Sequence, residues 1–212
     1  KFLLDLQESP KVSPKCYLVK DKLDRLTYLT RIEEIFNISN FAIYFQEIIS
    51  EIVINPKKYF LASSEMHIRW PNCEAIPPHQ DNFYHCVPHN KGIKILIPLQ
   101  ELNIHNGGLC YSDSNVDYEI LKHSPTKIEN FSSFIEDKIF KNLNLNYTKY
   151  QLLEGDAAYH FMNSIHFSKG NKTANDSLFL VFRYQSRNVE INEFLLLQYQ
   201  KCYEEHLEMM RN

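Results

Sequence analysis

Three side chains in this chain have the types and spacing to hold a redox-active metal: His79, Asp81 and His166. The first two stand in Pro78-His79-Gln80-Asp81, and 85 residues beyond Asp81 the run Ser164-Ile165-His166 closes. In an extended segment residues i and i+2 point to one face, so His79 and Asp81 can approach one ion together. A third ligand from a distant strand leaves the opposite side of that ion open. Two imidazoles and one carboxylate so placed form a facial triad, which suits iron(II) with O2 and an organic ligand in the open positions. A lone His-x-Asp arises often by chance in turns and on surfaces, so the distal segment gives the first one its weight.

Positioning such a triad requires strands, and the middle of the chain reads that way. Residues 65–70, 92–99, 109–112, 149–153, 157–162 and 177–185 are short, rich in β-branched or aromatic residues, and bounded by turn formers. Asn106-Gly107-Gly108 and Gly155-Asp156 supply turns between them. Upstream, Leu23, Leu26, Leu29, Ile32 and Ile35 recur every three residues, which predicts a helix over residues 21–36. A second apolar helix is expected over residues 41–53, stopped by Asn55-Pro56. Further helices are expected near residues 127–142 and over 191–210. The sum is an α+β chain read as one domain: a helical N-terminal part over about 17–55, a jelly-roll, cupin-like β-core over about 60–187, and a C-terminal helix over about 190–210.

Composition narrows the function classes. The 212 residues fit one core. A formal charge of −3 with mixed signs gives no footprint for nucleic acid, and no apolar run is long enough for a membrane span. Five scattered cysteines without a C-x-x-C pair argue against a disulfide framework or a structural zinc site and point to a reducing, cytoplasmic compartment. Fourteen Phe and thirteen Tyr are enough to fill a core and line a pocket.

Taken in order, these segments resemble the phytanoyl-CoA hydroxylase-like family of iron(II), 2-oxoglutarate-dependent dioxygenases, over roughly residues 15–187. Ile76-Pro77-Pro78-His79-Gln80-Asp81 matches the family's first metal segment, including the Gln between the ligands. Residues 93–99 followed by Asn106-Gly107-Gly108-Leu109 resemble its strand and turn, and Tyr111-Ser112-Asp113-Ser114-Asn115 a weakened form of the next motif. Leu153-Glu154-Gly155-Asp156 and Ile165-His166-Phe167-Ser168, with Asn171, match the distal segment. The resemblance implies a double-stranded β-helix, iron(II) held by His79, Asp81 and His166, and Ser168 helping to bind a 2-oxoglutarate carboxylate, with Asn171 in a loop beside the site. It also implies an arginine eleven residues after the distal histidine, whose planar fork clamps the far carboxylate of 2-oxoglutarate. This chain has Ser177 there. Arg183 follows on the same face, roughly 20 Å further along the strand, and Lys94 and Arg69 are the other candidate anchors.

The remaining histidines have plainer readings: His85 and His89 as loop or pocket residues, and His160 as a satisfied wall histidine. Cys86 reads as a small buried hydrophobe; Trp70, Phe83 and Tyr84 flank the first metal segment and can shape a pocket. The expected activity is hydroxylation of an aliphatic carbon of a small molecule, using O2 and 2-oxoglutarate. Halogenases of the family lack the carboxylate ligand, and Asp81 is present. Ser177 keeps open a same-fold iron oxidase that does not use 2-oxoglutarate, and a catalytically silent metal-binding jelly-roll module is the rival of another class. No motif specifies the substrate or an oligomeric state.

Overall fold

The computed structural model describes residues 18–34, 39–53, 59–88, 91–112 and 119–211. The expected stop at Asn55-Pro56, His89 and residues 113–115 lie outside them. Most of the described chain is antiparallel sheet. One sheet has the order β1 (Leu18–Lys20), β2 (Leu26–Thr30), β3 (Tyr59–Arg69), β12 (Ser177–Ser186), β5 (Gly92–Pro98) and β10 (Ala158–Phe161). The other has the order β4 (Ile76–Gln80), β11 (Ile165–Ser168), β6 (Leu109–Ser112) and β9 (Tyr147–Lys149). A hairpin of β7 (His123–Pro125) and β8 (Ser133–Ile135) forms a separate two-stranded sheet packed against β4.

The period-2 rule sorts the large sheet into two faces. Leu178, Leu180, Phe182 and Tyr184 of β12 join Ile93, Ile95 and Ile97 of β5 in one apolar layer. The helix α1 (Ser39–Ile52) covers that layer with Phe45 and Ile49, and the Phe45 and Phe182 rings stand 5.2 Å apart. A fully enclosed side chain such as Phe182 contributes about 1.5–3 kcal/mol relative to its exposed state. Phe179, Val181 and Leu96 turn to the other side, where Leu109 of β6 packs against them, so the two sheets face each other. The helices α2 (Asn82–His85) and α3 (Asp137–Asn142) are short. The last helix, α4 (Glu193–Arg211), puts Leu195 and Cys202 against Phe83 and Cys86, and the Asn192 side chain accepts the Leu195 N–H at its start, 3.1 Å away. None of the described helices is long and apolar enough to cross a membrane.

Two expectations fail. Over its described residues the predicted helix at 21–36, and with it the first half of the helical N-terminal part expected over 17–55, is instead the β1–β2 hairpin followed by a 3-10 turn at Ile32–Glu34, while α1 meets the second helix expected over 41–53. The Asp21 carboxylate accepts the N–H groups of Leu23 and Arg25 and pairs with the Arg25 guanidinium. Asp24 and Arg31 then adopt left-handed φ values of 60° and 56°. That local turn chemistry outweighs a three-residue apolar spacing. The helix near 127–142 survives only as α3, because residues 123–135 form the β7–β8 hairpin around a left-handed Asn130. A smaller shift moves the expected strand at 149–153 back to β9, leaving Leu152 bridged to Leu102.

Candidate metal centre

His79 sits one residue before the end of β4 and is the cross-strand partner of His166 on β11. Antiparallel pairing therefore places both imidazoles at one level, with ring centroids 4.1 Å apart. Asp81 stands at the N-cap of α2, where a carboxylate ordinarily accepts the helix's own free N–H groups. Here it makes no such bond and turns toward the histidines. Its Oδ1 lies 4.0 Å from His79 Nε2 and its Oδ2 3.6 Å from His166 Nε2. Gln80, between the two, points the opposite way and stitches loops together: its Nε2 donates to the Glu119 and Asn163 carbonyls and its Oε1 accepts the Leu121 N–H.

The donor set fits a metal ion. One ligand atom from each of the three buried residues lies within 4.8 Å of the others. Ligands about 2.0–2.2 Å from a shared ion stand roughly 3–4 Å apart, so a small contraction suffices. His79 Nδ1 bonds the Pro77 carbonyl and His166 Nδ1 the Ser164 carbonyl, each at 3.0 Å. A carbonyl only accepts, so both Nδ1 atoms carry the proton and both Nε2 atoms keep a lone pair. Burial pushes His79 down to about 4 and holds His166 well below its ordinary value, with the neighbouring His79 adding to the second effect. For Asp81 burial acts upward, but Lys94, His166 and His160 outweigh it and keep the carboxyl well below its usual range. Near neutral pH the cluster holds two neutral imidazoles and a carboxylate, the protonation state that metal binding requires.

Sequence reasoning under-read three residues of the site. His160, on β10 of the facing sheet, lies 2.8 Å from Asp81 Oδ2 through Nε2 and 3.1 Å from the Tyr111 hydroxyl through Nδ1. Because Asp81 accepts, Nε2 carries the proton and Tyr111 donates to Nδ1. His160 is a satisfied wall residue, as expected, and it also fixes the carboxylate. Tyr111 is the cross-strand partner of His166 and stacks on it at 5.6 Å. Phe131, from the hairpin read as helix, meets the His79 ring edge-on at 4.9 Å. No spacing rule links these residues to the triad, since pairing between distant strands brings them there.

The candidate cosubstrate residues separate. Lys94 Nζ is 2.7 Å from Asp81 Oδ1; burial lowers its pKa, but Asp81 and Glu65 more than offset this and keep the ammonium charged. Arg183 is half-buried, bonds the Gln185 side chain, and feels the negative charges of Glu65 and Asp81. His85 is pushed down to about 3, chiefly by burial, with the positive charges of Lys94 and Arg183 adding to it. Ser168 is buried on β11, and its Oγ accepts the Gly170 N–H at 3.3 Å. Asn171, fully buried, donates to the Arg69 and Asn175 carbonyls and ties the loop after β11 to the end of β3. Ser177 is spent on the Asn106 carbonyl.

No protein-family model and no curated protein sequence matches the chain. Solved structures do match. EvdO2 from Micromonospora carbonacea var. aurantiaca aligns over 81% of this chain and 71% of its own, with a TM-score of 0.65 at 16% identity. SnoK, a non-heme alpha ketoglutarate dependent carbocyclase from nogalamycin biosynthesis, aligns over 84% and 71%, with a TM-score of 0.62 at 11% identity. The epimerase SnoN, in complex with Fe3+, alpha ketoglutarate and nogalamycin RO, aligns over 86% and 74%, with a TM-score of 0.59 at 11% identity. At these identities the likeness is one of fold. The chain shares the architecture of non-haem 2-oxoglutarate-dependent enzymes.

Proposed function

We propose that this chain is a non-haem iron(II), 2-oxoglutarate-dependent oxygenase of phytanoyl-CoA hydroxylase-like type, oxidising an aliphatic carbon of a small organic molecule. The carrying observation is the buried His79–Asp81–His166 cluster, with both Nε2 atoms free and the carboxylate turned away from its own helix. In this reading the two sheets, ordered β3-β12-β5-β10 and β4-β11-β6-β9, are the layers of a double-stranded β-helix. The structures with similar folds support it, since two of them are described with alpha ketoglutarate.

Iron(II) bound by the triad would supply the redox chemistry that couples O2 and 2-oxoglutarate to oxidation of a C–H bond. The chain's own residues do the rest. Backbone carbonyls lock both imidazole tautomers. Lys94 and His160 hold Asp81 by its two oxygens, so the carboxylate reaches an ion without reorienting. Tyr111, Phe131 and Tyr84 wall the histidines with aromatic surface, which limits water. Asp81 leaves no gap for a halide, which favours hydroxylation, desaturation or ring closure over halogenation.

Anaerobic titration with Fe(II), followed by O2 and 2-oxoglutarate, tests the assignment. Wild-type protein should form succinate and consume O2, and Asp81→Ala should do neither. Full activity in Asp81→Ala would remove Asp81 from the ligand set. Tight metal binding without O2 consumption over any substrate panel would make the chain a binding module instead.

A further inference from the structure

A guanidinium faces the space between the sheets, and among the described residues no acid pairs with it. Arg69 is the last residue of β3, and its cross-strand partner on β12 is Ser177. Its stem packs on Gly107, where an added Cβ would stand 3.0 Å from Arg69 Cγ and where φ is +97°. Only glycine suits that close, left-handed turn. From the other side Asn171 Nδ2 grips the Arg69 carbonyl at 2.7 Å. Nη2 donates to the Glu74 carbonyl at 2.6 Å and reaches Ser168 Oγ at 3.3 Å, while Nε is sealed from solvent without a partner. Among the described residues no Asp or Glu forms an ion pair with it, and burial lowers its pKa. A half-buried cation whose sealed Nε–H goes unused costs free energy until an anion meets it.

We infer that Arg69, together with Ser168, anchors the distal carboxylate of 2-oxoglutarate, supplying from β3 the charge that position 177 lacks. The inference rests on the iron and 2-oxoglutarate reading above. Ser168 follows His166 by two residues on β11, which places its Oγ roughly 7 Å along the strand from the metal-binding imidazole. That distance matches a five-carbon diacid that chelates at one end and is clamped at the other. Moving the arginine one strand across the sheet keeps its level, because Arg69 and Ser177 are register partners. The other two candidates are already engaged: Lys94 by Asp81, and Arg183 among Glu65, Asp81 and Gln185, six residues further along β12.

Calorimetry on anaerobic, Fe(II)-loaded protein tests this with two keto acids that share the chelating head, 2-oxoglutarate and 2-oxovalerate. The second ends in a methyl group. Wild type should prefer 2-oxoglutarate. Arg69→Met should bind it roughly 100-fold more weakly while keeping its affinity for 2-oxovalerate and for Fe(II), because a buried charge pair has lost one partner. Arg69→Met without keto acid should melt no lower than wild type. Arg69→Lys, which keeps the charge but not the fork, should lose at least tenfold, and it decides the matter if the Met variant does not fold. Undiminished preference for 2-oxoglutarate in either variant overturns the anchor and leaves the oxygenase reading intact. Wild-type protein that binds neither keto acid in a metal-dependent way overturns both.

Discussion

Along β12, Leu178, Leu180, Phe182 and Tyr184 turn to one side, into the apolar layer that α1 covers at Phe182, while Ser177, Phe179, Val181 and Arg183 turn to the other. The same alternation in β5 sends Ile93, Ile95 and Ile97 outward and Lys94 and Leu96 inward. One face of the sheet is thus largely hydrocarbon, and the opposite face is broken by Glu65, Lys94, His160 and Arg183. Buried charges are retained against their desolvation cost only where they hold one another, and here they do so around Asp81. The outer face fixes the fold, and the inner face gives up stability to arrange a carboxylate and two imidazoles.

Substitutions on either face can break or sharpen this division. The largest effect is expected outside: Phe182→Ala should cost about 3–5 kcal/mol in urea unfolding, with the Fe(II) affinity of the folded fraction unchanged. A parallel loss of metal affinity would show that the faces are not separable. Inside, His160→Phe keeps a ring but loses the bond to Asp81, so metal binding should weaken about 10–100-fold with little change in melting. Equal affinity would reduce His160 to a filler of space. Next is pH. His85 is held at about 3 against an ordinary 6.5, so its neutral form stabilises the fold fully above 6.5, and that contribution is lost as pH falls toward 3. Metal-free protein should lose up to about 1.4 kcal/mol between pH 6.5 and 5.5 from this group, and His85→Gln should reduce the slope by that share, leaving the part due to His79 and His166. The smallest effect belongs to Tyr159, 54% exposed on the edge strand β10. Tyr159→Thr should move stability by no more than about 0.5 kcal/mol, since α1 does not cover it.

The same division explains what could be foreseen. Strands β5, β6 and β12 were legible nearly to their ends because their apolar residues recur at the strand period between turn formers. His79, Asp81 and His166 were legible as residues, and their meeting follows from the β4–β11 register. Two stretches misled. Leu23, Leu26, Leu29 and Ile32 have a helical spacing, yet Asp21 folds the chain back before a helix can start. Residues 127–136 look like the run-up to a helix, but Asn130 turns them and delivers Phe131 to His79. Arg69 was visible as a cation, whereas its pairing opposite Ser177 belongs to contacts more than a hundred positions apart.

Since His79 and His166 are direct partners in β4–β11, only one alignment of those strands sets both rings side by side on the same face. A slip by a single residue would swing one imidazole away and leave the other alone. An ion captured between them would therefore act as a proofreader of strand alignment. A refolding chain that zipped up wrongly would have no grip on it, and the correctly closed molecule would be selected as it loads.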